Sequence, residues 1–253
     1  MGRTFKDYIN NPMGEKNSVF TQREALRAVY VDKFNKVMVR EMGNINVRLY
    51  TKDDVYIAYF KIPSEVIENF YYDVVIEFTP PNIIRKMEKT LENYDVKFFS
   101  NDPAFVFTFA YAFNKHKLFI SDLEPKMSKQ ALSDIAKEKN PKAMIGYVKS
   151  LYFAYLYMQS KGLFNKNMFE TYSKPYNAAS LLKQVMSADN KIAARIEAQS
   201  LKSKRANIAK RKEISEKNSN REFNNKNIKT TPITKSVPKI KTVKHTKTIK
   251  RRK

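Results

Sequence analysis

Between Phe105 and Phe113 every second residue is aromatic: Phe105, Phe107, Phe109, Tyr111 and Phe113 alternate with Val106, Thr108, Ala110 and Ala112. Successive side chains of an extended strand point to opposite faces, so this spacing sets five rings on one face and small residues on the other. Asn114, Lys115 and His116 interrupt the pattern, and Leu118, Phe119 and Ile120 resume it, which predicts a hairpin. A strand of this kind is expected to be covered on both sides. The rings could instead stack bases, as sheet aromatics do in RNA-recognition folds. Two points favour the core: an exposed stripe this apolar invites aggregation, and no basic residue is interleaved between the rings.

The residues around this stretch supply helices and further strands. Residues 1–18, with Asn10, Asn11, Pro12 and Gly14 as turn formers, read as an irregular, flexible arm. Thr21 with Glu24 forms a capping-box pattern, and Leu26, Val29, Tyr30, Phe34, Val37 and Met38 keep helical spacing up to Gly43. Ile45–Leu49 and Val55–Ile62 alternate on either side of the polar Thr51-Lys52-Asp53-Asp54, a hairpin signal, and Tyr72–Phe78 is another strand, stopped by Pro80 and Pro81. Asn82 is placed to cap a helix through Leu91. Beyond Ile120 the spacing predicts helices over 128–137, 142–161 and 178–212, the second of them buried and ended by Gly162. With 42% hydrophobic residues in 253, the chain can bury a sizeable core. The expected fold class is α+β, an antiparallel sheet packed against helices, with a disordered basic C-terminal tail.

The net charge of +23 is unevenly placed. Residues 201–253 hold 19 Lys/Arg against 3 acids, and the first 200 hold 29 against 22. This suggests a flexible arm at 1–18, a body at 19–200, and a basic helix extension and disordered tail at 201–253. From about Asn218 the sequence is too polar to offset its ordering entropy by burial. The tail is the strongest functional signal. Lys226, Lys229, Lys235, Lys239, Lys241, Lys244, Lys247, Lys250, Arg251, Arg252 and Lys253 can each release a condensed counterion from a phosphate backbone. That yields affinity for nucleic acid without regard to sequence. The same charges could meet an acidic protein. They lack the amphipathic aromatic face that inserts into a membrane.

Catalytic readings find little. There is no cysteine, which excludes disulfides, thiolate zinc sites and cysteine nucleophiles. The five glycines are scattered, so no phosphate-cradling loop forms. His116 and His245 share no metal-ligand spacing, and no serine triad can be assembled. Asp73, Glu77, Asp95 and Lys97 would fit a Mg²⁺-dependent nuclease, since two acids and a lysine on adjacent strands can bind the ion and activate water. The alternative is that these are solvated charges that guard strand edges. The N-terminus lacks a signal-peptide apolar run, and the longest apolar stretch, Met144–Met158, is too short to span a bilayer, so a soluble protein is expected. No cofactor and no metal are expected.

Three stretches, YDVVIEF at 72–78, SNDPAFVFTFAYAFN at 100–114 and KNPKAMIGYVKSLYFAYLYM at 139–158, resemble in their order a group of small tailed-bacteriophage virion or head-assembly proteins. Better-marked relatives of that type carry a segment similar to the SWIM-type zinc finger. Ser100, Asp102, Val148 and Ser150 stand at the corresponding ligand positions, where they cannot make that zinc site, so no metal is implied. The resemblance covers residues 20–160. It implies a non-enzymatic structural or assembly role in a virion, with the host cytoplasm as the place of assembly and other virion proteins as partners. The tail would then contact DNA or an acidic neighbouring subunit. A free, sequence-nonspecific nucleic-acid-binding protein is the alternative.

Overall fold

The computed structural model describes residues 3–10, 32, 35, 45–64, 66–81, 89–146 and 148–226. The helix expected from Thr21 to Gly43, most of the one capped by Asn82, and the tail beyond Lys226 lie outside the described residues. The chain divides into two compact units, Met1–Leu201 and Lys202–Lys253.

The first unit is α+β. Strands β1 (Asn46–Lys52), β2 (Val55–Pro63), β3 (Tyr71–Thr79) and β4 (Asp95–Ser100) form an antiparallel meander. A short β5 (Ser173–Pro175) lies parallel to β1 on its outer side, giving the order β4-β3-β2-β1-β5. The β1–β2 turn is made by Asp53 and Asp54, both at positive φ (50° and 65°), a conformation short polar side chains tolerate and two-residue hairpins require.

One face of the sheet is almost wholly apolar, with Ala58, Phe60, Val74, Ile76, Phe78 and Phe98 all buried. Three helices cover it. The N-terminal segment, expected as an irregular arm, contributes the first, α1 (Phe5–Asn10). Thr4 caps it, accepting from the Asp7 amide at 3.0 Å while its own hydroxyl donates to the Asp7 carboxylate at 2.7 Å. The Phe5, Tyr8, Ile9 spacing then puts three buried side chains on one face, and Phe5 and Tyr8 meet Phe98 at ring distances of 5.2 and 5.0 Å. The others are α4 (Lys149–Ser160) and α5 (Lys166–Tyr172), which bring Tyr157 to Phe60 and Phe169 to Tyr56.

The aromatic stretch is helical, which overturns the strand and hairpin read from its alternation. Asp102 accepts from the Ala104 amide at 2.9 Å, and Pro103 fits the first turn. A π-helical turn over Phe105–Phe109 then runs into α2 (Ala110–Lys115). In a helix Phe105, Phe109 and Phe113 share a side. Phe105 and Phe113 are core residues 5.1 Å apart, Phe113 lies 5.7 Å from Phe98, and Phe107 faces outward, 56% exposed. Leu118–Ile120 runs beside β4, with the Phe98 amide donating to Leu118 O at 2.7 Å.

Three other helices differ from expectation. The one read over 128–137 is only α3 (Lys129–Ser133), capped by Ser128. The one read over 142–161 starts at Lys149, because Asn140 folds 140–144 into a turn: its side chain accepts from the Met144 amide at 2.9 Å and donates to Thr108 O and Met144 O. The one read over 178–212 is broken at residues 185–187 into α6 (Ala178–Gln184) and α7 (Ala188–Lys226), the latter extending well past 212.

Candidate nucleic-acid interface

Helix α7 has no glycine or proline in 39 residues, and alanine, lysine, arginine and glutamine are good helix formers. Ser187 starts it by accepting from the Asn190 amide at 3.3 Å, and Asp189 sits in the first turn, where a negative charge is favoured. It changes character along its length. Ala188 and Lys191 are buried, whereas every residue from 201 to 217 is exposed.

No acid occurs between Glu197 and Glu213. That interval carries Lys204, Arg205, Lys210, Arg211 and Lys212, none with an ion-pair partner among the described residues. Residues seven apart on a helix return to nearly the same side, so Lys204 pairs with Arg211 and Arg205 with Lys212 on adjoining faces, about 10 Å apart along the axis. Glu213, the acid that closes the run, is turned to Lys217 at 2.6 Å. Of the tail cations singled out from the sequence, Lys226 ends α7, and Lys229, Lys235, Lys239, Lys241, Lys244, Lys247, Lys250, Arg251, Arg252 and Lys253 lie outside the described residues. The upstream cluster was not singled out from the sequence, although its signal, a fifteen-residue interval without an acid, is written there.

The acids of the nuclease reading share one face of the sheet but do not converge. Asp73 is fully buried, and both its oxygens already accept: Oδ1 from Tyr59 at 2.9 Å and Lys61 at 3.3 Å, Oδ2 from Asn101 at 2.9 Å and the Met186 amide at 3.1 Å. Glu77 lies four residues along the same strand, about 13 Å away. It pairs with Lys97 directly across the ladder at 3.1 Å. Asp95 sits at the far end of β4, opposite Thr79. Among the described residues no group of three or more His, Cys, Asp or Glu could hold a metal ion.

The Asp73 cluster ties the sheet to the α6–α7 junction. Asn101 completes it, accepting from the Asp73 amide at 2.8 Å and donating to Met186 O at 3.3 Å. Burial, reinforced by Asp73, pushes the Tyr59 hydroxyl far above the usual phenol range. Lys191, on the first turn of α7 with its ammonium 4.8 Å over the Phe70 ring, is held below the usual lysine value by burial, which the Asp73 charge partly offsets.

Elsewhere, the base-stacking surface read from the aromatic stretch is not assembled as five rings on one face, since Phe105 and Phe113 are inside. His116 caps the C-terminal end of α2 and His245 lies outside the described residues. Ser100 and Ser150 do meet, hydroxyl to hydroxyl at 3.3 Å in the core, and Ser100 also accepts from the Asp102 amide. Among the described residues no helix is long and apolar enough to cross a membrane. No family model matches the chain, and no curated protein or solved structure does either.

Proposed function

We propose that this chain is a non-enzymatic structural or assembly protein that holds nucleic acid without regard to sequence, through the basic run of α7 and the lysines that follow it. The observation that carries the reading is the exposed interval from Lys204 to Lys212, five cations with no acid among them in the part of α7 where every residue is exposed. A helical stretch exposed all round gains little from packing, and placing unpaired cations along it favours a partner that is a line of phosphates. Contacts of this type fix position and carry no base information. The virion setting is supported by the resemblance in segment order, with an acidic neighbouring subunit as the other partner such a helix could meet.

The test is a salt titration of duplex binding by the full chain. The logarithm of affinity should fall with log salt at about −0.9 per phosphate neutralised. Replacing Lys204, Arg205, Arg211 and Lys212 together by glutamate should flatten that slope by roughly 3 to 4 and weaken binding to unrelated sequences equally. Unchanged affinity and slope in this variant would remove α7 from the interface. Mass spectrometry of purified particles addresses the setting: stoichiometric recovery supports a virion component, and recovery from infected-cell cytosol alone supports a free binding protein.

A further inference from the structure

The two edges of the sheet are finished differently. Along β4 the neighbouring chain supplies partners: the Val96 amide donates to Arg3 O at 2.8 Å, and Leu118–Ile120 continues the cover. Along β1 the short β5 pairs only with Leu49–Thr51. Thr51 turns its carbonyl outward, where it accepts from the Tyr176 amide at 2.9 Å. Outward-facing residues alternate along a strand, so Leu49 and then Val47 present their amide and carbonyl to the same side. Among the described residues nothing pairs with Val47 there. This stretch forms one wall of a groove of about 1010 Å³. Tyr157 and Met168 supply apolar surface in it, while Arg48, Lys161 and Lys174 bring positive charge, and among the described residues no acidic side chain lines it. Lys161 and Lys174 are exposed and have no ion-pair partner among the described residues.

We propose that this groove takes an extended acidic segment of a partner protein, which adds to the β1 edge in line with β5. An unpaired strand edge is a template for another strand, with main-chain bonds giving affinity and flanking side chains giving selectivity. The cations select acidic side chains. A DNA strand would satisfy the charge and supply acceptors, but it has no backbone donor for the Val47 carbonyl, and the 2′-hydroxyls of RNA do not repeat at the spacing of a β-ladder. A peptide offers donor and acceptor together. The proposal does not depend on α7 binding nucleic acid.

The full-length protein is to be titrated with a labelled heptapeptide of alternating glutamate and valine, and with the same peptide N-methylated along its backbone. Methylation keeps the charge and removes the ladder donors. The unmodified peptide should bind at least tenfold more tightly and slow hydrogen exchange at the Val47 amide. Lys161→Glu combined with Lys174→Glu, both exposed positions, should weaken it by about tenfold. Since the basic C-terminal region also attracts acidic peptides, equal binding of both peptides, or an unchanged Val47 amide, would assign the binding to charge alone and overturn the proposal. So would a single-stranded oligonucleotide that slows the Val47 amide where the peptide does not.

Discussion

The Asp73 side chain is closed to water and accepts four hydrogen bonds, whose donors come from three parts of the chain: β2, Asn101 and Met186. A buried carboxylate is tolerable only when so satisfied, so losing one donor leaves it short by the worth of a charged hydrogen bond. Tyr59→Phe removes one such donor without changing the ring. It should cost about 1.5–3 kcal/mol in urea unfolding, with little change in m. The same hydroxyl sets an alkaline limit. Its pKa is raised on folding, so its contribution is complete below the unfolded value of 10.0 and is lost as pH rises beyond it. The melting temperature should therefore fall above pH 10, less steeply in Tyr59→Phe, with tyrosine ionisation followed by ultraviolet absorbance tracking unfolding. Lys191 acts in the opposite sense. Its pKa is lowered on folding, so between the folded value and 10.5 the unfolded chain binds more protons and stability rises with pH. None of this was legible in the sequence, where Asp73 and Glu77 look alike; the difference comes from Asn101 and Met186, residues brought in by tertiary structure.

At the level of elements, local chemistry was legible where it has one physical reading. Gly162 ends α4 with φ of 66°, while the amides of Gly162 and Leu163 donate to Gln159 O and Met158 O, the paired bonds of a left-handed helix stop. A side chain there is strained, so Gly162→Ala should lower stability by about 1 kcal/mol in thermal or chemical unfolding. The stretch from Phe105 to Phe113 was misread because alternating rings satisfy two periods at once: residues four apart share a strand face and also a helix side. Asp102-Pro103 breaks the tie, an N-cap followed by a first-turn proline, and the alternation outweighed it. The break between α6 and α7 carries one local signal, Ser187 as an N-cap, and it is held by Asp73 and Asn101 bonding to both backbone groups of Met186. Within the exposed part of α7, Ala206→Pro should reduce helical circular dichroism and leave the main melting transition in place, because that segment adds nothing to the hydrophobic core.

For the whole molecule, stability and charge occupy different stretches of chain. Among the described residues the buried hydrophobic cluster ends at Ala188, with Ile192 packed against it, while residues 201–253 carry 19 Lys/Arg against 3 acids. Met1–Leu201 alone should retain cooperative melting and lose duplex binding at physiological salt; binding as tight as that of the full chain would move the interface into the body. The uneven charge was legible from residue counts, whereas the length of α7 was not: disorder was expected from Asn218 and the helix runs on to Lys226. The span between Asp73 and its last donor has a consequence for synthesis. Strands β1 to β4 are complete by Ser100, but Met186 follows Asp73 by 113 residues. At ribosomal rates of about 5–20 residues per second, that donor emerges roughly 6 to 23 s later. Until then the nascent sheet must keep this carboxylate in water, so the face that α6 and the start of α7 will close has to stay open on the ribosome, and the last step of folding waits on the clock of translation.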